Sequence, residues 1–304
     1  MSGSVRAAMA LAMVVWTGVA SAAGCGPVRA VATFSILGDL VRQVGGGHVE
    51  VATLVGPGSD VHSFSPAPGD ARILARADIV VVNGLGLEGW IDRLIRASGT
   101  KAPVVTASGG VATMEDADPH DHGGHDHGHA DPHAWQNVAN VKVYVANIRD
   151  GLSKVCPDHA ADYAAAAAAY TDQLDALDRE VQAAMARIPP QNRRLITTHD
   201  AFGYFAAAYG LTILAPQGLS TESAASPRDV AAIITQIRRE KVPAVFLETV
   251  TDPRQMERIA HESGARIGGE IYSDALSPPE GPAPTYLAMI RSNVKAFEAA
   301  LSSR

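Results

Sequence analysis

Four short segments carry the residue types that hold transition metals. Asp60-Val61-His62 and Asp131-Pro132-His133 repeat one Asp-x-His spacing. Thr197-Thr198-His199-Asp200 and Gly269-Glu270-Ile271-Tyr272-Ser273-Asp274 each place a ligating side chain just past a β-branched run. Together His62, His133, His199 and Asp274 would offer three imidazoles and one carboxylate, one pair per half of the chain, which is the tetrahedral N/O environment that Zn²⁺ accepts. A single histidine in a loop is usually an ordinary polar residue. What raises these four is their repeated position after strand ends, where open α/β sheets bind ligands. Asp60, Asp131 and Asp200 each neighbour one of the histidines and are expected to steer an imidazole N–H from behind, a turn or helix-cap role being the alternative. Trp135 reads as a core aromatic, and Glu248, at the end of another β-branched run, is given no role.

The composition agrees with metal chemistry. Six of the 11 histidines fall between His120 and His133. Five of these, His120, His122, His125, His127 and His129, belong to the tract Asp118–His129, built almost wholly from Asp, His and Gly. Such a tract cannot form a packed core, and alternating Asp and His bind borderline metals weakly, so these five are expected to be accessory sites. With 47% hydrophobic and 19% charged residues the 304-residue chain is globular. Its net charge of −7 argues against nucleic acid as a partner. A zinc hydrolase is the rival reading, but the chain has no His-Glu-x-x-His, no Gly-x-Ser-x-Gly and no cysteine pair at zinc-ribbon spacing. Asp274 in the fourth position would also close the site to a catalytic water.

Residues 1–23 have a basic start at Arg6, an apolar run from Ala7 to Trp16 and small residues through Ala23. They read as a cleaved secretory signal, too short for a membrane span. An exported, periplasmic protein is the expectation. Cys25 and Cys156, the only two cysteines, then have one possible partner each, so a disulfide is expected. Ala22-Ala23-Gly24-Cys25 also resembles a lipoprotein box, which leaves lipid anchoring at Cys25 and free thiols as alternatives.

These residues need elements to position them. β-branched runs at 29–34, 48–55 and 78–82 alternate with helical patterns at 37–44 and 68–77, the sign of βαβ units and a parallel sheet. A helical pattern runs from Asn137 to Lys154, and Pro157 opens another that reaches Ile188, its centre rich in alanine. At 1.5 Å per residue this second helix would span about 48 Å, and Pro189-Pro190 ends it. Strand–helix alternation then resumes at 194–198, 211–215, 244–248 and 266–271, with helices from Pro227, Pro253 and Pro284. The expected fold is α/β, with two lobes each built on a mostly parallel sheet flanked by helices and bridged by one long rigid helix. The expected divisions are a lobe over 24–155 carrying the His-rich loop 118–129, a linker helix over 156–188, and a second lobe over 189–304. A ligand site between two such lobes is a common arrangement.

Several segments together resemble the metal-receptor solute-binding proteins of zinc and manganese ABC transporters, across nearly all of the chain that follows the leader. The matching stretches are ATFSILGDLV, GPGSDVHSFSPAPGDAR, NGLGLEGW, DPHAWQNVANVKVYVANI, TTHDAFGYFAAAYGL, STESAASPRDVAAI and GGEIYSDALSPPEGPAPTYL. The resemblance implies that His62, His133, His199 and Asp274 are the metal ligands, held between two lobes. It implies a non-catalytic, monomeric receptor that hands its ion to a membrane permease and its ATPase. Manganese-type members usually have Glu at the third position; His199 there, and the His-rich stretch before His133, match the zinc type, and a third imidazole moves preference from a hard ion toward Zn²⁺ over Mn²⁺. A manganese-type receptor or an adhesin-like lipoprotein of the same family is the alternative. One departure is Val61, where the family usually has proline.

Overall fold

The computed structural model describes residues 25–114 and 130–302. The expected leader 1–23 and the tract histidines His120, His122, His125, His127 and His129 lie outside the described residues. The first half opens with β1 (Val28–Phe34), α1 (Ser35–Gly45), β2 (Val49–Val55), α2 (Pro68–Leu74) and β3 (Ile79–Val82). It continues through α3 (Ile91–Ser98), β4 (Val104–Thr106) and α4 (Val138–Val155). After α5 (Ala160–Arg187) the second half runs β5 (Arg194–Ile196), α6 (Gly203–Tyr209), β6 (Thr212–Leu214), α7 (Pro227–Glu240), β7 (Ala244–Glu248), α8 (Arg254–Ser263), β8 (Arg266–Ile271) and α9 (Tyr286–Leu301).

Each half holds one four-stranded sheet, ordered β2-β1-β3-β4 and β6-β5-β7-β8, with every pairing parallel. The two orders are the same pattern. In both, the chain reverses its direction of winding at the first strand, which opens a crevice beyond the carboxyl ends of the strands. Strands covered by helices on both faces read as continuous apolar runs, and Ile79–Val82 is buried at all four positions.

The long helix is shorter than its sequence pattern suggests. Pro157–His159 forms a 3-10 turn, and α5 proper spans 28 residues, or about 42 Å. It buries Tyr163, Ala167, Tyr170, Leu174, Leu177, Val181 and Ala184, a stripe at alternating spacings of four and three. That stripe packs on α1 and α4 of the first half and on α9 of the second. Each fully buried Leu or Val of this kind contributes roughly 1.5–3 kcal/mol, so α5 ties the halves together mainly by apolar contact. Among the described residues no helix is long and apolar enough to cross a membrane.

Polar ties also join the halves near the crevice. The buried Asp39 carboxylate on α1 accepts the Tyr286 N–H at the start of α9 (2.8 Å). This satisfies a donor that the helix leaves open and places negative charge at its positive end. The Ser35 hydroxyl accepts the Leu276 N–H (2.9 Å). At the other end of the first half, a disulfide joins Cys25 to the buried Cys156, their Cα atoms 5.9 Å apart.

Candidate metal centre

Each of the four predicted ligands is fixed by its own local device. His62 lies in the loop after β2, where its N–H donates to Asp60 Oδ1 (2.9 Å). Val61 is fully buried and its carbonyl accepts the Trp90 indole N–H (3.2 Å), so packing holds this turn where a proline would otherwise stiffen it. His133 follows Pro132, whose carbonyl accepts the Asn83 amide (2.9 Å) from the end of β3. Asp131 is held in turn by Met114 O and by the Tyr204 hydroxyl. A Cβ on Gly203 would come within 2.8 Å of Asp131 Oδ2, so the start of α6 needs glycine to pass this carboxylate.

His199 extends the pairing of β5 with β6 by a parallel bridge to Gln217. Asp274 follows β8, and the strap it sits on is fastened to the first half of the chain. Ser273 O accepts from Trp135 Nε1 (3.0 Å) and Gln136 Nε2 (2.8 Å), and Leu276 O accepts the Gly58 N–H (2.9 Å). Gly58 makes that contact with φ at +68°, a conformation that favours glycine. Asp274 belongs to the second half, just past β8, while its neighbours Ser273 and Leu276 are hydrogen-bonded to the first.

The structure brings all four side chains together. His62 Nε2 lies 3.3 Å from His133 Nε2 and 3.5 Å from Asp274 Oδ2. His133 Nε2 is 3.7 Å from Asp274 Oδ1, and His199 Nε2 is 3.1 Å from Asp274 Oδ2. A tetrahedral ion with bonds of 2.0–2.1 Å requires donors about 3.3–3.4 Å apart, and these four separations scatter around that value. His133, His199 and Asp274 are fully buried, and His62 keeps 7% exposure, the one edge through which the cluster meets solvent. Both Asp274 oxygens and His199 Nε2 are buried without a hydrogen-bond partner. Buried polar atoms are rarely left so, and four donors turned inward on one point fit a cation.

The neighbouring aspartates divide. Asp131 Oδ1 is 2.8 Å from His133 Nδ1, in position to fix that ring. Asp60 does not reach an imidazole; its carboxylate takes the His62 backbone N–H, the Ser63 hydroxyl and, across the crevice, the Thr221 hydroxyl (2.5 Å). Behind His199 stands Glu248, 2.5 Å from Nδ1, and not the adjacent Asp200, whose N–H donates to Gly218 O. The local sequence around His199 does not point to Glu248, which arrives from β7. The available signal was its place at the end of a strand that pairs with β5. Trp135 is core and site at once, its ring tilted by 56° against Phe34 and edge-on to His133.

The metal-free electrostatics follow. Burial works against an imidazolium at His199, yet the carboxylates of Glu248 and Asp274 outweigh it and hold the pKa well above the ordinary value. Burial likewise works against charge on Asp274, but His199 and the other two histidines hold its pKa well below the carboxylate range.

Residues 30–300 match the family described as zinc-uptake complex component A, periplasmic. The chain is 32% identical to the manganese-binding lipoprotein MntA of Halalkalibacterium halodurans, over 92% of this chain and 94% of that one. It is 33% identical to the iron-binding protein YfeA of Yersinia pestis, over 88% and 84%. It is 32% identical to the zinc-binding protein TroA of Treponema pallidum, over 94% and 92%. The solved structure of TroA superposes with a TM-score of 0.84 at 30% identity, covering 91% of this chain and all of that one.

Proposed function

This chain belongs to the family of periplasmic metal-binding receptors of ABC transporters, and on that footing we propose that its cargo is Zn²⁺. Members of the family are substrate-binding receptors that bind a metal ion and work with a permease and its ATPase; for this chain the same role is proposed, as a monomeric receptor in the periplasm. The ligands are His62, His133, His199 and Asp274. Asp131 and Glu248 orient the imidazoles of His133 and His199.

The observation that carries the reading is the donor set: three imidazole nitrogens and one carboxylate converging within 3.1–3.7 Å in a buried cluster. Imidazole-rich sites of low coordination number suit zinc, whereas Mn²⁺ prefers more oxygen donors. The relatives named for manganese and iron make Mn²⁺ the runner-up. With the carboxylate occupying the fourth corner, the site holds an ion and leaves no open position for catalysis.

The test is metal analysis of protein purified without added metal or an affinity tag, followed by competition titration. Zinc as the bound metal, and zinc outcompeting manganese by several orders of magnitude, is the expected result. Preferential manganese loading overturns the zinc assignment and leaves the receptor role standing.

A further inference from the structure

We propose a second divalent-metal site, open to solvent, formed by His48, His159 and Asp162 at the far end of the first sheet. His48 closes the 3-10 turn Gly46–His48 that leads into β2. His159 closes the turn Pro157–His159, and Asp162 lies in the first turn of α5. Three separate features of the chain thus meet at one point.

Both imidazoles face the same carboxylate oxygen. His48 Nε2 is 3.2 Å from Asp162 Oδ2 and His159 Nδ1 is 3.5 Å from it, with all three donor atoms within 4.8 Å of one another. The two separations bracket the roughly 3.3–3.4 Å between donors that bonds of 2.0–2.1 Å demand at a tetrahedral angle. A helix-start aspartate paired with one histidine would account for a single imidazole. It does not account for the second, whose ring stacks on the first at 3.8 Å and 20° and turns its nitrogen to the same oxygen.

The site is held ready from two sides. Tyr163, buried on α5, stands edge-on to both rings at 6.3 Å. The turn carrying His159 follows directly on the disulfide at Cys156, and Asp158 within it accepts the Cys25 N–H. Ligands fixed in advance lose little freedom on binding. The side chains are 38%, 25% and 61% exposed for His48, His159 and Asp162, so water completes the coordination and the ion exchanges with solvent. Two nitrogens and one oxygen select a borderline ion such as Zn²⁺ over Mg²⁺ or Ca²⁺.

This site is independent of the buried one. His48 precedes the seven residues of β2 and His62 follows them, and a strand of that length spans about 23 Å. The proposal stands whichever metal the buried site carries.

The test uses the full-length protein, first loaded with one equivalent of Zn²⁺, and reads histidine carbethoxylation by peptide mass spectrometry with and without a further tenfold excess of Zn²⁺. Rates are normalised to His261, exposed on α8. Excess zinc should slow modification of His48 and His159 together by about tenfold or more. In His48→Gln the protection of His159 should disappear, and in Asp162→Asn both should lose most of theirs. All three residues are at the surface, so the variants keep the wild-type circular dichroism. Unchanged rates at His48 and His159 in excess zinc, or full protection of His159 in His48→Gln, overturn the proposal.

Discussion

Glu248 grips His199 through both backbone and ring. Its Oε1 accepts the N–H groups of Thr198 (2.7 Å) and His199 (3.0 Å), while Oε2 lies 2.5 Å from the ring Nδ1. The carboxylate therefore fixes where the imidazole sits and which nitrogen it offers to the ion. Glu248→Gln keeps the shape but removes one acceptor, and should weaken zinc binding by about 10- to 100-fold with the fold intact. Competition titration reads the affinity and circular dichroism the fold. Wild-type affinity in this variant would show that the contact does not act on the metal.

His62→Ala, His133→Ala and His199→Ala should each weaken the tight site by about tenfold or more, since each removes one of four donors. A variant that binds as tightly as wild type removes that residue from the ligand set.

Acid should weaken binding through His199. Its metal-free pKa lies well above 6.5 because, against the cost of burial, Glu248 and Asp274 favour the charged ring. At neutral pH the empty site therefore carries a proton that the ion must displace. Lowering the pH favours the proton, so affinity falls as pH drops, already across the neutral range, by about tenfold per pH unit for each proton displaced. Calorimetry in buffers of different ionisation enthalpy should find about one proton released per tight ion at pH 7. Affinity that stays flat between pH 7 and 5 contradicts a histidine-dominated site.

Deleting residues 118–129 should leave one tight zinc site while removing weaker equivalents. His133 is anchored by Asp131 and Asn83, whereas the tract consists of Asp, His and Gly with nothing in its sequence to preorganise it. Calorimetric stoichiometry should fall toward the one tight ion plus the one proposed at His48, His159 and Asp162, the tight constant changing less than about tenfold, or ~1.4 kcal/mol. Loss of the tight site would make a tract histidine a primary ligand.

The exported protein should carry the Cys25–Cys156 bond and no lipid on Cys25, since one sulfur cannot do both. Intact mass before and after reduction should differ by two hydrogens, and Cys156→Ser should cost about 2–5 kcal/mol of stability, the loop closed being long. An acyl mass on Cys25, of the sort the name lipoprotein implies for MntA, would overturn this.

The alternation of β-branched runs and helical patterns made both sheets legible, because strands covered on two faces must be apolar and prolines mark the helix starts. The short pieces were not. β4 has three residues, two of them exposed, and no periodicity can emerge from so few. α3 follows Gly84 to Gly89, where glycines and a positive φ at Leu85 hide the approach to a helix. The four converging side chains could be picked out by residue type and position after strands. The partner of His199 could not, since proximity in sequence pointed to Asp200 whereas Glu248 arrives 49 residues later on a neighbouring strand. Nor could any local pattern reveal that the strap bearing Asp274 bonds to Trp135, Gln136, Ser35 and Gly58.

That strap sets how the ion can leave. A rigid-body swing of the second sheet away from the first would withdraw a single arm, His199, and leave a three-donor cradle behind. The vacated corner is then open to an incoming donor before any other bond breaks. Exchange can proceed stepwise, one bond made for each one lost, and the cation never has to pass through a bare, unsolvated state.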